Sequence, residues 1–151
     1  MCWVIGGCLS GQFSARTLPT AGDTGLAMSE ENVETFKRGA EAYNRRDVDA
    51  LLKTLDPEVE WHSALLIPFG GEATVSRGHD GVRELLVEVD EALAEIHLDY
   101  SEIRDLGERI VGIGRIRTRG KQSGAVTEMP FGTVTDMKNG RAIRIWTYLD
   151  P

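Results

Sequence analysis

The stretch Asp56-Pro57-Glu58-Val59-Glu60-Trp61-His62-Ser63 constrains this chain more than any other. Residues before it carry helical periodicity, and most of those after it alternate with a period of two. Pro57 lacks the N–H a helix needs and disfavours helix at Asp56, so the chain must change conformation here. From there Val59, Trp61 and Ser63 fall on one face and Glu58, Glu60 and His62 on the other. That is the pattern of a half-buried strand. A strand with a Trp on its inner face, set between helices and a sheet, is expected to line a pocket.

Upstream, Ser29 is an expected N-cap, and Glu30 and Glu31 sit where a helix dipole favours negative charge. Val33, Phe36, Ala40 and Tyr43 recur at i, i+3, i+7 and i+10, which predicts a helix ending near Asn44-Arg45-Arg46. Asp47 then caps a short second helix marked by Val48, Leu51, Leu52 and Leu55. Downstream, residues 65–78 read as a loop from Pro68, Gly70, Gly71 and Gly78. The loop carries Leu65, Leu66, Ile67 and Phe69, so it either folds under the domain or forms a lip over a pocket. Val82, Leu85, Leu86, Val89, Leu93 and Ile96 predict a third, amphipathic helix whose other face is acidic.

After Ile96 the period becomes two. Strands are expected over 97–106, 109–119, 125–137 and 141–149, with turns at Gly107-Glu108, at residues 120–124 and at Asn139-Gly140. Asn-Gly is the strongest of these signals, because a type I′ turn needs positive φ at both central residues. Four strands joined by tight turns make an antiparallel meander, and strands this long twist and curl. The expected fold is therefore α+β: three N-terminal helices packed on a curved, mostly antiparallel sheet, closed into a cone.

Composition narrows the function classes. A net charge of −7 over 151 residues opposes a surface built for nucleic acid or anionic membranes. Neither is expected as a partner. The two cysteines lie within the first eight residues, without metal-site spacing. Their scarcity fits a reducing compartment such as the cytoplasm. No apolar run reaches the roughly 18–20 residues of a membrane span. Residues 1–27 are rich in Gly, Thr, Ser and Ala and have no stable period. They read as a disordered tail or an over-long start, with the domain occupying residues 28–151.

Several segments together resemble one family. Residues 44–51, Asn-Arg-Arg-Asp-Val-Asp-Ala-Leu, are similar to the turn between the first two helices of SnoaL-like proteins, members of the nuclear-transport-factor-two-like superfamily. Residues 56–62 resemble that family's first strand. Residues 77–83, Arg-Gly-His-Asp-Gly-Val-Arg, resemble the entry to its third helix, and Ser123-Gly124 and residues 136–141 its later hairpins. The resemblance spans about residues 28–150. It implies a cystatin-like cone with a mostly apolar cavity, often a homodimer through the sheet, and no cofactor. Relatives include polyketide cyclases, ketosteroid isomerase, scytalone dehydratase, limonene epoxide hydrolase and non-enzymatic binding domains, so fold alone does not choose a function.

Acid–base chemistry in such a cone needs a buried carboxylate or His. The isomerases place an Asp on the first strand and a Tyr on the first helix. Here those positions correspond to Trp61 or Ser63 and to Gly39, which argues against that chemistry. Arg115, Arg117 and Arg119 with Glu128 and Asp136 imitate the composition of an epoxide-hydrolase site without matching it residue by residue. The remaining candidates for moving protons or holding charge are His62, Arg117 and Glu128. His62 faces away from Trp61 under strict alternation, and Glu128 turns inward only if Pro130 or Gly132 makes a bulge. Trp61, Phe69, Phe131, Thr133, Trp146 and Tyr148 are the candidate walls and donors of a ligand site. Three scattered His suggest no metal centre. The expectation is a protein that binds a small apolar molecule. If it is an enzyme, it is a cofactor-independent cyclase, isomerase, dehydratase or hydrolase. The alternative is a non-catalytic ligand-binding or dimerisation module.

Overall fold

Helix α1 spans Pro19–Arg45 and α2 spans Val48–Lys53. They lead into strand β1, Leu55–Ser63, in a computed structural model that describes residues 19–150, with side chains from residue 30 on. The expected tail thus lies mostly outside the described residues. α1 starts upstream of Ser29, which is not its N-cap. It ends where Arg46 takes a positive φ of 61°, and Asp47 then caps α2 by accepting from the Ala50 N–H at 3.1 Å. α1 buries more than its apolar stripe: Asn32, Thr35, Gly39 and Ala42 are buried alongside Tyr43, while Val33, Phe36 and Ala40 are half-buried.

Residues 65–78, expected as loop, contain a 3₁₀ turn at Ile67–Phe69 and a four-residue strand β2, Thr74–Arg77. β2 pairs antiparallel with β1, Glu60 opposite Arg77 and His62 opposite Val75. So short a strand has too few alternations to be legible, and its partner rather than its own sequence makes it a strand. Helix α3, Gly78–Ala92, follows at once and buries Val82, Leu85, Leu86 and Val89. It stops four residues earlier than Ile96 because β3, Leu93–Asp105, begins there. A register irregularity between Leu93 and Glu95 leaves Leu93 and Ile96 both buried, so a bulged strand imitates the helical spacing.

Strands β4, Arg109–Gly120, β5, Val126–Lys138, and β6, Arg141–Leu149, complete the meander. Asn139 and Gly140 take φ of 53° and 74° at the β5–β6 turn, as an Asn-Gly hairpin requires. The sheet order is β2-β1-β6-β5-β4-β3, with only β1 and β6 parallel. Irregularities in β3–β4, β5–β6 and β1–β6 bend the sheet around the helices. Two glycines on the inner face of β4 permit that curvature. A Cβ on Gly114 would lie 2.0 Å from the Asp99 carbonyl oxygen at the β3 bulge, and one on Gly112 would lie 2.5 Å from the Tyr100 ring. The architecture is the expected one, three helices on a curved, mostly antiparallel sheet.

Candidate functional site

The concave face of the sheet and the underside of α1 and α2 enclose a cavity. It holds about 720 Å³ of space free of atoms, counting the part open at its mouth. The inner face of β5 supplies Phe131, Thr133, Thr135 and Met137, and β6 supplies Ala142, Ile145 and Thr147. β1 contributes Trp61 and Ser63, and β3 reaches in with Leu98 and Tyr100. Two groups of aromatic rings line the cavity. Phe36, Tyr100 and Phe131 pack with ring centroids 5.0 Å apart in each successive pair, and Tyr43 meets Trp61 at 6.2 Å.

The polar groups of this cavity are hydroxyls and one indole N–H. Trp61 Nε1 donates to Thr147 Oγ1 at 3.1 Å, and Tyr100 Oη shares a hydrogen bond of 3.2 Å with Thr133 Oγ1. Thr54 donates to the Leu51 carbonyl at 2.7 Å, and Thr35 accepts from Arg38 at 3.0 Å. Burial pushes the Tyr100 phenol up to about 12, opposed in part by its bond to Thr133. Burial raises the Tyr43 phenol further, against the Arg46 guanidinium beside it. Both phenols are therefore protonated near neutral pH and act as hydrogen-bond donors or acceptors rather than bases. Among the described residues, the lining contains no Asp, Glu, His, Lys or Arg.

Of the residues expected to form the site, Trp61, Phe131 and Thr133 line the cavity. Phe69 does not. It is half-buried in the 3₁₀ turn and packs against the core, while Leu65 of the same segment reaches the cavity. Trp146 and Tyr148 lie on the outer face of β6, where Tyr148 is 56% exposed. Arg144 and Asp150 share that parity, and two charges on one face were the signal that it points outward.

The three candidates for proton transfer are also outside. His62 pairs with Glu60 at 2.6 Å and stacks on Trp146, ring centroids 5.6 Å apart. The His62 hydrogen bond holds the Glu60 carboxyl below the usual carboxylate range. Glu128 pairs with Arg115 at 3.0 Å, and Arg117 is exposed opposite it in the β4–β5 register. That register runs without interruption from Arg109 to Arg119, so Pro130 and Gly132 introduce no bulge and Glu128 keeps its outward parity. Asp136 is bound by Arg109 at 2.6 and 3.1 Å, and Arg119 pairs with Glu95 at 3.1 Å. His79 instead has a structural place, Nε2 lying 3.0 Å from the Leu55 carbonyl oxygen. Sequence reasoning missed Tyr43, Tyr100 and Thr147 as site residues. Thr147 shared a parity with Ile145, and that apolar, uncharged face was the available signal. Tyr100 had none, because its reach into the cavity depends on the missing side chain at Gly112.

Fold and cavity together define a class of protein, an α+β cone enclosing a small and mostly apolar chamber. The chain belongs to the SnoaL-like family, whose domain matches residues 36–145, within the nuclear-transport-factor-two-like superfamily. A solved NTF2-like protein of unknown function from Burkholderia pseudomallei K96243 is 32% identical, with a TM-score of 0.72 over 80% of this chain and 91% of its own. TerC, co-crystallised with polyporic acid, is 26% identical, with a TM-score of 0.71 over 80% of this chain and 92% of its own. An uncharacterized cystatin-fold protein from Novosphingobium aromaticivorans shares the fold at 16% identity, with a TM-score of 0.64 over 77% of this chain and 96% of its own. No curated protein matches the chain. No described helix is long and apolar enough to cross a membrane.

Proposed function

We propose that this chain binds a small, largely apolar molecule inside the cone without abstracting a proton from it. The observation that carries this reading is the lining: apolar side chains, hydroxyls and the Trp61 N–H, with no ionised group among the described residues. A cyclase or isomerase that works by proton abstraction needs a base inside the chamber. His62, Arg117 and Glu128, the candidates for that role, are on the opposite face of the sheet. The structure of TerC with polyporic acid supports the reading, since a relative at 26% identity takes up an organic ligand.

The test is a thermal-shift series of lipophilic carbonyl, phenolic and epoxide compounds, with polyporic acid included. A ligand present at 100 times its Kd should add about 2.7 kcal/mol of stability, read as a higher melting temperature. Trp61→Ala should abolish the shift while the protein stays folded. No shift for any compound would overturn the small-molecule reading.

A second feature favours self-association through the sheet. On the outer face Val75, His62, Trp146, Val134 and Val111 stand in one cross-strand row, with Tyr148, Gly132 and Ile113 in the next. Beside them runs a row of alternating charge, Arg77, Glu60, Arg144, Asp136 and Arg109. An apolar strip flanked by charges of both signs is the anatomy of an interface. A self-complementary one suits a second copy of the chain in a homodimer.

A further inference from the structure

The floor of the cavity contains two hydrogen-bonded pairs side by side, and counting their protons says what they lack. Thr133 on β5 and Thr147 on β6 are directly opposite each other in the antiparallel register, and both line the cavity. Opposed side chains of this kind have Cβ atoms about 4.5–5.5 Å apart. Indole N–H is a donor only, so the Trp61–Thr147 bond runs from Trp61 to Thr147 and leaves the Thr147 proton unspent. Tyr100 and Thr133 hold two hydroxyl protons between them. Their mutual bond uses one, and whichever way it runs one proton is left over. Thr133 and Thr147 are 5% and 9% exposed. Neither spare proton meets an acceptor among the described residues.

Two donors that line the cavity without a protein acceptor need one from water or a ligand. They are also a specification, because one carbonyl oxygen has two lone pairs and can satisfy both. Phe36, Tyr43, Trp61, Tyr100 and Phe131 line the same cavity, and aromatic side chains are good partners for a flat ring system. We propose that Thr133, backed by Tyr100, and Thr147, backed by Trp61, form a two-donor site for the carbonyl oxygen of a flat ketone or quinone. This rests on the cavity reading above and deepens it by naming the ligand's chemistry. A carbonyl oxygen takes over both hydrogen bonds of any water held at this point, whereas a methylene takes over neither.

The test uses a matched pair, 1-tetralone and tetralin, which share one two-ring frame with and without the carbonyl. Dissociation constants are measured by NMR titration of the full chain. The ketone should bind at least about tenfold more tightly than the hydrocarbon. The preference should fall to near one in the Thr133→Val, Thr147→Val double variant, with tetralin affinity little changed. Thr147→Ser keeps the hydroxyl and should retain the preference, which separates lost hydrogen bonding from damaged packing. Equal affinities in the native chain, or a preference that survives both valines, overturn the two-donor site and leave the cavity reading standing. Binding of neither compound also overturns it, and the compound series described above then decides whether the cavity reading falls as well.

Discussion

Tyr100 shows how one side chain's protonation couples the site to stability. Its phenol is held at about 12 by burial, above the ordinary value of 10. Below pH 10 both folded and unfolded chains keep the proton, and this group adds no pH dependence. Between about pH 10 and 12 the unfolded chain releases a proton that the folded chain retains, so stability falls as pH rises. A shift of this size corresponds to about 2–3 kcal/mol. Tyr43 acts in the same direction, also through burial. Urea unfolding at pH 8 and pH 11 should therefore show a marked loss for the native chain and a smaller loss for Tyr100→Phe. At pH 8 that variant should be weaker by about 1 kcal/mol, from the missing bond to Thr133. A Tyr100 phenol that ionises in the ordinary range with the fold intact would refute the account. On the other face Glu60 behaves oppositely: its lowered pKa makes its contribution present at neutral pH and lost as pH falls through the acid range.

Between elements, the join of α1 to β3 rests on Asn44. Its amide donates to the Leu98 carbonyl at 2.9 Å and accepts from the Leu98 N–H at 2.8 Å. β3 is an edge strand of the sheet, and an unpaired edge is a template for pairing with another chain. Asn44 therefore fastens the helix and covers the edge at once, while Asn32 ties α1 to the Gly107 carbonyl at 3.0 Å. Asn44→Ala should cost about 1–3 kcal/mol in chemical denaturation, since it leaves partly buried backbone groups unsatisfied. Light scattering on warming should rise earlier in that variant. Asn44→Asp keeps the acceptor and loses the donor, and should fall between the two. An alanine variant as stable as the native chain would remove Asn44 from this role.

The whole molecule presents two unlike faces of one sheet, a hydroxyl-lined inner face and an outer face of ion pairs around an apolar strip. The outer strip predicts a homodimer. Sedimentation velocity should give a dimer for the native chain and a monomer for Trp146→Glu, which replaces the largest apolar side chain of the strip with a carboxylate. The melting temperature of the native chain should also rise with protein concentration. A monomer at all concentrations would remove the interface and leave the cavity untouched, since Trp146 and Tyr148 do not line it.

Much of this was legible along the chain, because period and turn chemistry are local physics. The Asn139-Gly140 hairpin, the Asp47 cap and the shared face of Phe131, Thr133, Thr135 and Met137 each depend on neighbours a few residues away. The inward face of β6 was not: Trp146 and Tyr148 were expected as walls, the cavity takes Ile145 and Thr147 instead, and the charges Arg144 and Asp150 on the outer side were a signal left unused. What a local reading does not contain is a partner. The end of α3 at Ala92 and the existence of β2 are set by pairing with β4 and β1. The same holds for the site. Residues 33 apart bring Tyr100 to Thr133, and residues 86 apart bring Trp61 to Thr147. Those meetings are decided by strand register, by bulges and by the space over Gly112. The sequence by itself therefore determined the cone and its apolar character. Only the tertiary structure decided which hydroxyls meet, because a side chain's face follows from its own strand while its partner follows from another; the outward faces of His62 and Glu128 were already set by alternation, and the unbroken β4–β5 register kept Glu128 there.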